Sequence, residues 1–152
     1  MDHQSSDLDT LRLAELAAHA LFAADQASRS LGIEIEKVGP GFARLRMTVR
    51  PDMVNGHGMC HGGLVFALAD SAFAVACNSH NAVTVAAAAA IDFLAPARVN
   101  DELTAEAREL WLSKRSGIYE IGVSNQRGET IALFRGRSHR IGGQLVPGEQ
   151  AQ

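Results

Sequence analysis

Residues 55–80 read NGHGMCHGGLVFALADSAFAVACNSH, and the rest of the chain has to be built around them. Across residues 64–77 every side chain is apolar or small except the neighbours Asp70 and Ser71. A helix that is apolar on all sides must be buried. The stretch therefore predicts a central core helix that carries one carboxylate. An unpaired buried carboxylate is costly, so such a group is paired, neutralised, or placed where a ligand arrives. The helix opens at Gly62-Gly63, where the absence of side chains lets a ligand approach the free backbone N–H groups of a helix N-terminus.

Gly62 and Asp70 are eight residues apart, about 12 Å along a helix axis, so both cannot touch one small reacting group. Two copies of the helix lying antiparallel across a two-fold axis would bring Asp70 of one subunit to the Gly62 end of the other. An isologous dimer would then hold two composite sites.

The chain has 152 residues, enough for one domain with a substantial core. A net charge of −3 and a pI near 6.0 give no global reason to expect nucleic acid or an anionic membrane as partner. Two cysteines, Cys60 and Cys77, form no disulfide-rich pattern, which suits a reducing cytoplasm. The start, MDHQSSDLDT, is polar and acidic and not a signal peptide, and no stretch reaches the roughly 20 apolar residues of a membrane span. A soluble cytoplasmic protein is expected, with a domain at 8–145 and flexible termini at 1–7 and 146–152.

From Leu13, the apolar positions Leu16, Ala17, Ala20, Ala24, Ala27 and Leu31 follow helical steps, with Asp9 or Thr10 as cap and Gly32 as stop. This amphipathic helix is expected to cover an edge or face of a sheet. IEIEKV and ARLRMTV alternate around Gly39-Pro40-Gly41 and read as a hairpin. In AVTVAAAAAIDFLAPA, the alanines favour helix while Val83, Thr84, Val85, Ile91 and Phe93 favour strand. ELTAEAREL, GIYEIGVS and ETIALFRGRSHRI alternate as further strands.

The string N-G-H-x-x-C-H-G-G-x-x-F-x-L-A-D-x-A-F, with A-C-N-S, IDFLAPA and LFRGRSHRIGG, resembles the hot-dog-fold acyl-CoA thioesterases of phenylacetate degradation, the PaaI-type family. The likeness spans roughly residues 16–143. It implies an α+β hot-dog fold, in which a curved antiparallel sheet of about six strands wraps the central helix, with a further N-terminal helix. It also makes the alanine-rich segment a strand, whose small side chains would lie close against the helix.

The same resemblance implies that Asp70 is general base or nucleophile and that the Gly62 N–H holds the oxyanion. Asn55 and His61 would position water and the carbonyl. For His61 a helix-capping role stays open, and for Asn55 a turn role. Gly63 joins Gly62 at the glycine pair as a substrate contact. Arg135 and Arg137, with Arg140 on the opposite strand face, are either a solvated charged strand or forks for the phosphates of coenzyme A. The resemblance further implies a homo-oligomer, a dimer of dimers, that acts on acyl-CoA without metal or other cofactor.

A zinc site from His57, Cys60, His61, Cys77 and His80 fails on geometry, because the two pairs lie about 25 Å apart at opposite helix ends. Ser71 lacks a nucleophile elbow and reads as a packing residue. Asp92 reads as an exposed strand residue or an arginine partner rather than a second catalytic acid, and residues 86–90 offer no hydroxyl to orient water. Two rival functions remain: a hot-dog hydratase or dehydratase, and a non-catalytic acyl-CoA-binding module.

Overall fold

The structure, a computed structural model, describes residues 3–150. Helices α1 (His3–Ala23), α2 (Gln26–Ser30) and α3 (Gly62–Asn78) accompany strands β1 (Glu34–Gly39), β2 (Phe42–Thr48), β3 (Ala82–Phe93), β4 (Glu102–Leu112), β5 (Ser116–Ser124) and β6 (Thr130–Gln144). The strands form one sheet in the order β1-β2-β4-β5-β6-β3, with every neighbouring pair antiparallel. Strict alternation of buried and more accessible residues along β2 and β5 turns one face inward. The sheet wraps that face around α3, as the apolar circumference of the helix requires.

The contact is close where the sequence removes a side chain. Gly136 of β6 lies so near α3 that a methyl group there would sit 2.8 Å from Cε1 and Cζ of Phe73. The Phe73 ring therefore reaches the sheet and packs at 5.4 Å from Tyr119 and 5.9 Å from Phe134, centroid to centroid. All three are buried. Burying a side chain of this size contributes about 1.5–3 kcal/mol, so this cluster is a main tie between helix and sheet. Gly41, at φ +67°, has Glu109 Cβ at 2.8 Å from the same hypothetical methyl, and its N–H donates to Ser79 Oγ at 2.8 Å. The β1–β2 hairpin is thus fastened to the C-terminal end of α3.

Several expectations need correction. The first helix begins at His3, so residues 3–7 are helical where a flexible start was expected; Met1 and Asp2 lie outside the described residues. Its buried face is Leu13, Ala14, Ala17 and Ala18, while Ala20, Ala24 and Ala27 are exposed. The helix does not run on to Gly32. Asp25 takes the Ser28 N–H at 2.9 Å and caps a separate helix, α2. An aspartate that bonds its own downstream backbone competes with helix continuation, and here it wins. At the other end, Val146 N–H donates to Asn81 Oδ1, and Asn81 Nδ2 donates to the carbonyls of Val146 and Glu149, at 2.8–3.0 Å. Residues 146–149 are therefore held, and residues 151–152 lie outside the described residues.

Strand β3 pairs on one side with β6 and leaves its other side as a sheet edge. Residues 86–90 are exposed on both faces, so packing against α3 within the subunit does not account for their small size. The opposite edge, β1, has six residues and lies against α1. No helix of the described residues is long and apolar enough to cross a membrane.

Candidate active site

The N-terminus of α3 opens beside a cavity of about 370 Å³. Asn55, Met59 and Cys60 of the preceding loop, Gly62 and Val65 of α3, Phe93 of β3, residues 94–97 and Ile131 line it. Its wall is mostly apolar. The loop is held in place by backbone bonds from Cys60 N to Ala97 O, from His61 N to Met53 O and from Asn55 N to Met59 O, all 2.7–2.8 Å.

His61 is the N-cap of α3: its Nδ1 accepts the Gly63 N–H at 2.9 Å. Because Nδ1 accepts, the neutral ring carries its proton on Nε2. This engagement takes Gly63 out of the role of a free backbone donor. The Gly62 N–H has no partner among the described residues and stands at the positive end of the helix dipole. Phe93 packs directly over Gly62, with a methyl at Gly62 falling 3.1 Å from Phe93 Cζ. Phe93 is nevertheless 55% exposed, so its ring can swing away.

Asn55 serves two ends at once. Its Oδ1 accepts from the N–H groups of His57 at 2.9 Å and Met59 at 3.3 Å, which makes it an Asx turn. Its Nδ2 has no partner among the described residues, and Asn55 is one of the residues that line the cavity.

Asp70 sits two turns further along α3 and does not line this cavity. It is half-buried, with no hydrogen-bond or ion-pair partner among the described residues. Burial pushes its pKa above the usual carboxylate range, and the negative charge of Asp25 pushes in the same direction. One subunit therefore holds an unpartnered backbone N–H beside an apolar cavity at one place and a carboxylate of raised basicity at another.

The remaining candidates fall elsewhere. Arg135 and Arg137 project from the outer face of β6, away from α3, beside residues 88–90 and Ile118 around a shallow cavity of about 250 Å³. Neither forms an ion pair among the described residues. Arg140, on the alternate face, acts on Tyr119, whose pKa is raised chiefly by burial and then by Glu109. Asp92 is exposed. Cys77 is buried and its thiol is pushed up to about 12, mainly by burial. His80 is bonded to Glu109 at 2.8 Å, and no group of three metal-ligating side chains occurs among the described residues. Sequence reading passed over two features. One is the Phe93 ring over Gly62, and the other is a bond from Ser71 to Ser28.

A curved antiparallel sheet rolled around one helix, with an open helix N-terminus over an apolar cavity, defines a hot-dog enzyme. The thioesterase superfamily model matches residues 57–132, and the chain belongs to that superfamily as a thioester hydrolase. It is 50% identical over 129 residues to the acyl-coenzyme A thioesterase PaaI of Escherichia coli K12, covering 85% of this chain and 92% of that one. The structure of the E. coli PaaI protein from the phenylacetic acid degradation operon superposes with a TM-score of 0.86 at 49% identity, over 88% of this chain and 96% of that one. A mutant of the phenylacetic acid degradation protein PaaI from Thermus thermophilus gives 0.74 at 36% identity, over 77% of this chain and all of the other.

Proposed function

We propose that this chain is an acyl-CoA thioesterase that hydrolyses aryl, phenylacetyl-type CoA thioesters at sites shared between two subunits. The observation that carries this reading is the free Gly62 N–H, set at the mouth of a cavity lined by Phe93, Leu94, Pro96, Val65 and Ile131. An aryl group is flat and apolar and fits such a wall, with Phe93 offering a ring edge or face. The names of the E. coli and Thermus relatives support the same substrate class.

In the proposed reaction Asp70 takes a proton from water as the water oxygen attacks the thioester carbon. The negative charge that develops on the carbonyl oxygen is held by the Gly62 N–H of the partner subunit and by its helix dipole. Collapse breaks the C–S bond, releasing the acid and the coenzyme A thiolate, which takes up the proton. Direct attack by Asp70, giving an anhydride that water then opens, uses the same groups. Asn55 Nδ2 is the free donor that orients water or carbonyl, and His61 holds the helix end open.

The subunits meet along β3. This strand has twelve residues, no proline and one charge, Asp92, so it lacks the usual protections of an exposed edge. Two β3 edges paired across a two-fold axis would set the two α3 helices antiparallel and bring Asp70 toward the partner's Gly62 end. Dimers would pair again into a tetramer, and Arg135, Arg137 and Arg140 would meet the phosphates of coenzyme A. Residues 8–145 act as one domain in this reading.

The test follows coenzyme A release with a thiol reagent, over aryl and straight-chain acyl-CoAs, for the protein and for Asp70→Ala. Aryl-CoA turnover that falls about 10²- to 10⁴-fold in the variant is the expected result. No release from any thioester would overturn it, and retention of acyl-CoA without turnover would make the protein a binding module.

A further inference from the structure

A buried hydrogen-bond chain joins the start of α2 to the turn of α3 that carries Asp70. Asp25 accepts from the Ser28 N–H at 2.9 Å through Oδ1 and from the Ser28 hydroxyl at 2.5 Å through Oδ2. Ser28 Oγ lies 2.8 Å from Ser71 Oγ, and Ser71 Oγ lies 2.7 Å from the carbonyl of Ala67. Both serines are buried, although 43 positions separate them.

Capping α2 requires no more than the bond from the Ser28 N–H to Asp25. The two buried hydroxyls do something further. Both ends of the chain, a carboxylate and a carbonyl, accept only, so two hydroxyl protons serve three contacts. Ser28 gives its proton to Asp25, and Ser71 divides its own between Ala67 and Ser28. The Asp25 charge strengthens and orients the whole chain. Asp70 is the residue next to Ser71 and has no partner of its own, so its place depends on what fixes this turn.

We infer that Asp25 is a positioning residue for the reaction, holding through Ser28 and Ser71 the turn that presents Asp70. The inference rests on Asp70 being the base or nucleophile. A neighbouring negative charge favours proton uptake, which is what a base requires, and it acts on Asp70 in the same direction as burial.

Among the described residues no other charge acts on Asp70. On α3 itself Asp70 acts on Cys77; Glu109 of β4 also acts on Cys77, while Arg140 of β6 acts on Tyr119 of β5. Arg44 and Arg46 of β2 pair with Glu106 and Glu34. Arg29 of α2 donates to the Ala23 carbonyl. The described charged side chains of α1, β1 and β3 are exposed.

The experiment compares pH profiles of kcat/KM for aryl-CoA hydrolysis by the full-length protein, Asp25→Asn, Asp25→Ser and Asp70→Asn. Asparagine and serine both keep an N-cap oxygen while removing the charge, so either variant suffices if the other does not fold. The acid limb is expected to move to lower pH in the Asp25 variants. Ser71→Ala is expected to lower kcat about 2- to 10-fold, the cost of one hydrogen bond, with Ser71→Thr restoring it. Superimposable acid limbs in Asp25→Asn and Asp25→Ser, with Asp70→Asn inactive, would overturn this inference and leave the role of Asp70 intact. Turnover retained in Asp70→Asn would instead remove the reading of Asp70 on which it rests.

Discussion

Phe93 of β3 covers Gly62 of α3 so closely that a methyl group on Gly62 would lie 3.1 Å from Cζ and 3.3 Å from Cε1 of the ring. Gly62 has no positive φ, so alanine fits the backbone there, and the glycine is needed for room. Gly62→Ala should leave the melting temperature nearly unchanged, because the exposed Phe93 ring can move. It should lower kcat/KM about 10- to 100-fold by displacing the carbonyl from the Gly62 N–H. Phe93→Ala in the same chain should restore part of the loss. A double variant no better than Gly62→Ala would place the effect elsewhere.

Asp70 should lower stability at neutral pH for the same reason that would make it the base of the proposed reaction. Its pKa is raised by burial and by Asp25, so the folded protein binds its proton more tightly than the unfolded chain does. The stabilising contribution of that proton is complete below the unfolded value of about 3.9 and is lost as pH rises through the higher folded value. Asp70→Asn should therefore melt at a higher temperature than the parent at pH 7, with the gap closing on acidification. Equal melting curves at pH 7, at matched protein concentration, would remove burial as the cause.

The cap role of His61 can be separated from the catalytic one proposed for it. Its Nδ1 fills the Gly63 N–H, a bond that asparagine also makes well at an N-cap. His61→Ala should cost about 0.5–2 kcal/mol in denaturant unfolding, and His61→Asn much less. If His61→Asn is as active as the parent, the residue serves the helix end alone. A stable but slow His61→Asn would assign Nε2–H to the reaction.

The central helix, the hairpin and the strand pattern were legible because each rests on local periodicity: residues 64–77 are apolar all round, and β2 and β5 alternate without a break. The split between α1 and α2 was not, since one Asp25–Ser28 bond overrides a helical pattern that alanines continue on both sides. Gly62 and Asp70 stand out in the sequence by type and spacing. Phe93 over Gly62, and Ser28 against Ser71, depend on residues 31 and 43 positions apart, and no local signal reports such contacts. The alanines of β3 were read for a helix contact, whereas their faces are open in the subunit.

Gly136 measures how tightly α3 is held. Alanine there would put a methyl 2.8 Å from two atoms of the buried Phe73 ring, which Tyr119 and Phe134 confine. Overpacking of this kind costs about 1–3 kcal/mol. Gly136→Ala should show that loss in denaturant unfolding, and pairing it with Phe73→Leu should return part of it. A full-stability Gly136→Ala would mean that the sheet yields at this point.

In the proposed dimer the free edge of β3 ties assembly to activity. Residues 88 and 90 are alanines on an exposed strand with no partner beyond β6. Lysines at both would stand opposite Arg137 and Arg135 of β6, so nothing on that strand would neutralise them, and they would carry like charge onto a paired edge, which destabilises the pairing. Ala88→Lys with Ala90→Lys should therefore lower the solution mass toward that of one chain in analytical ultracentrifugation, with circular dichroism unchanged. Thioester hydrolysis should fall in parallel, because a lone subunit keeps Asp70 and Gly62 about 12 Å apart. A monomeric double variant with full turnover would separate the two, and a single subunit would then have to complete the site.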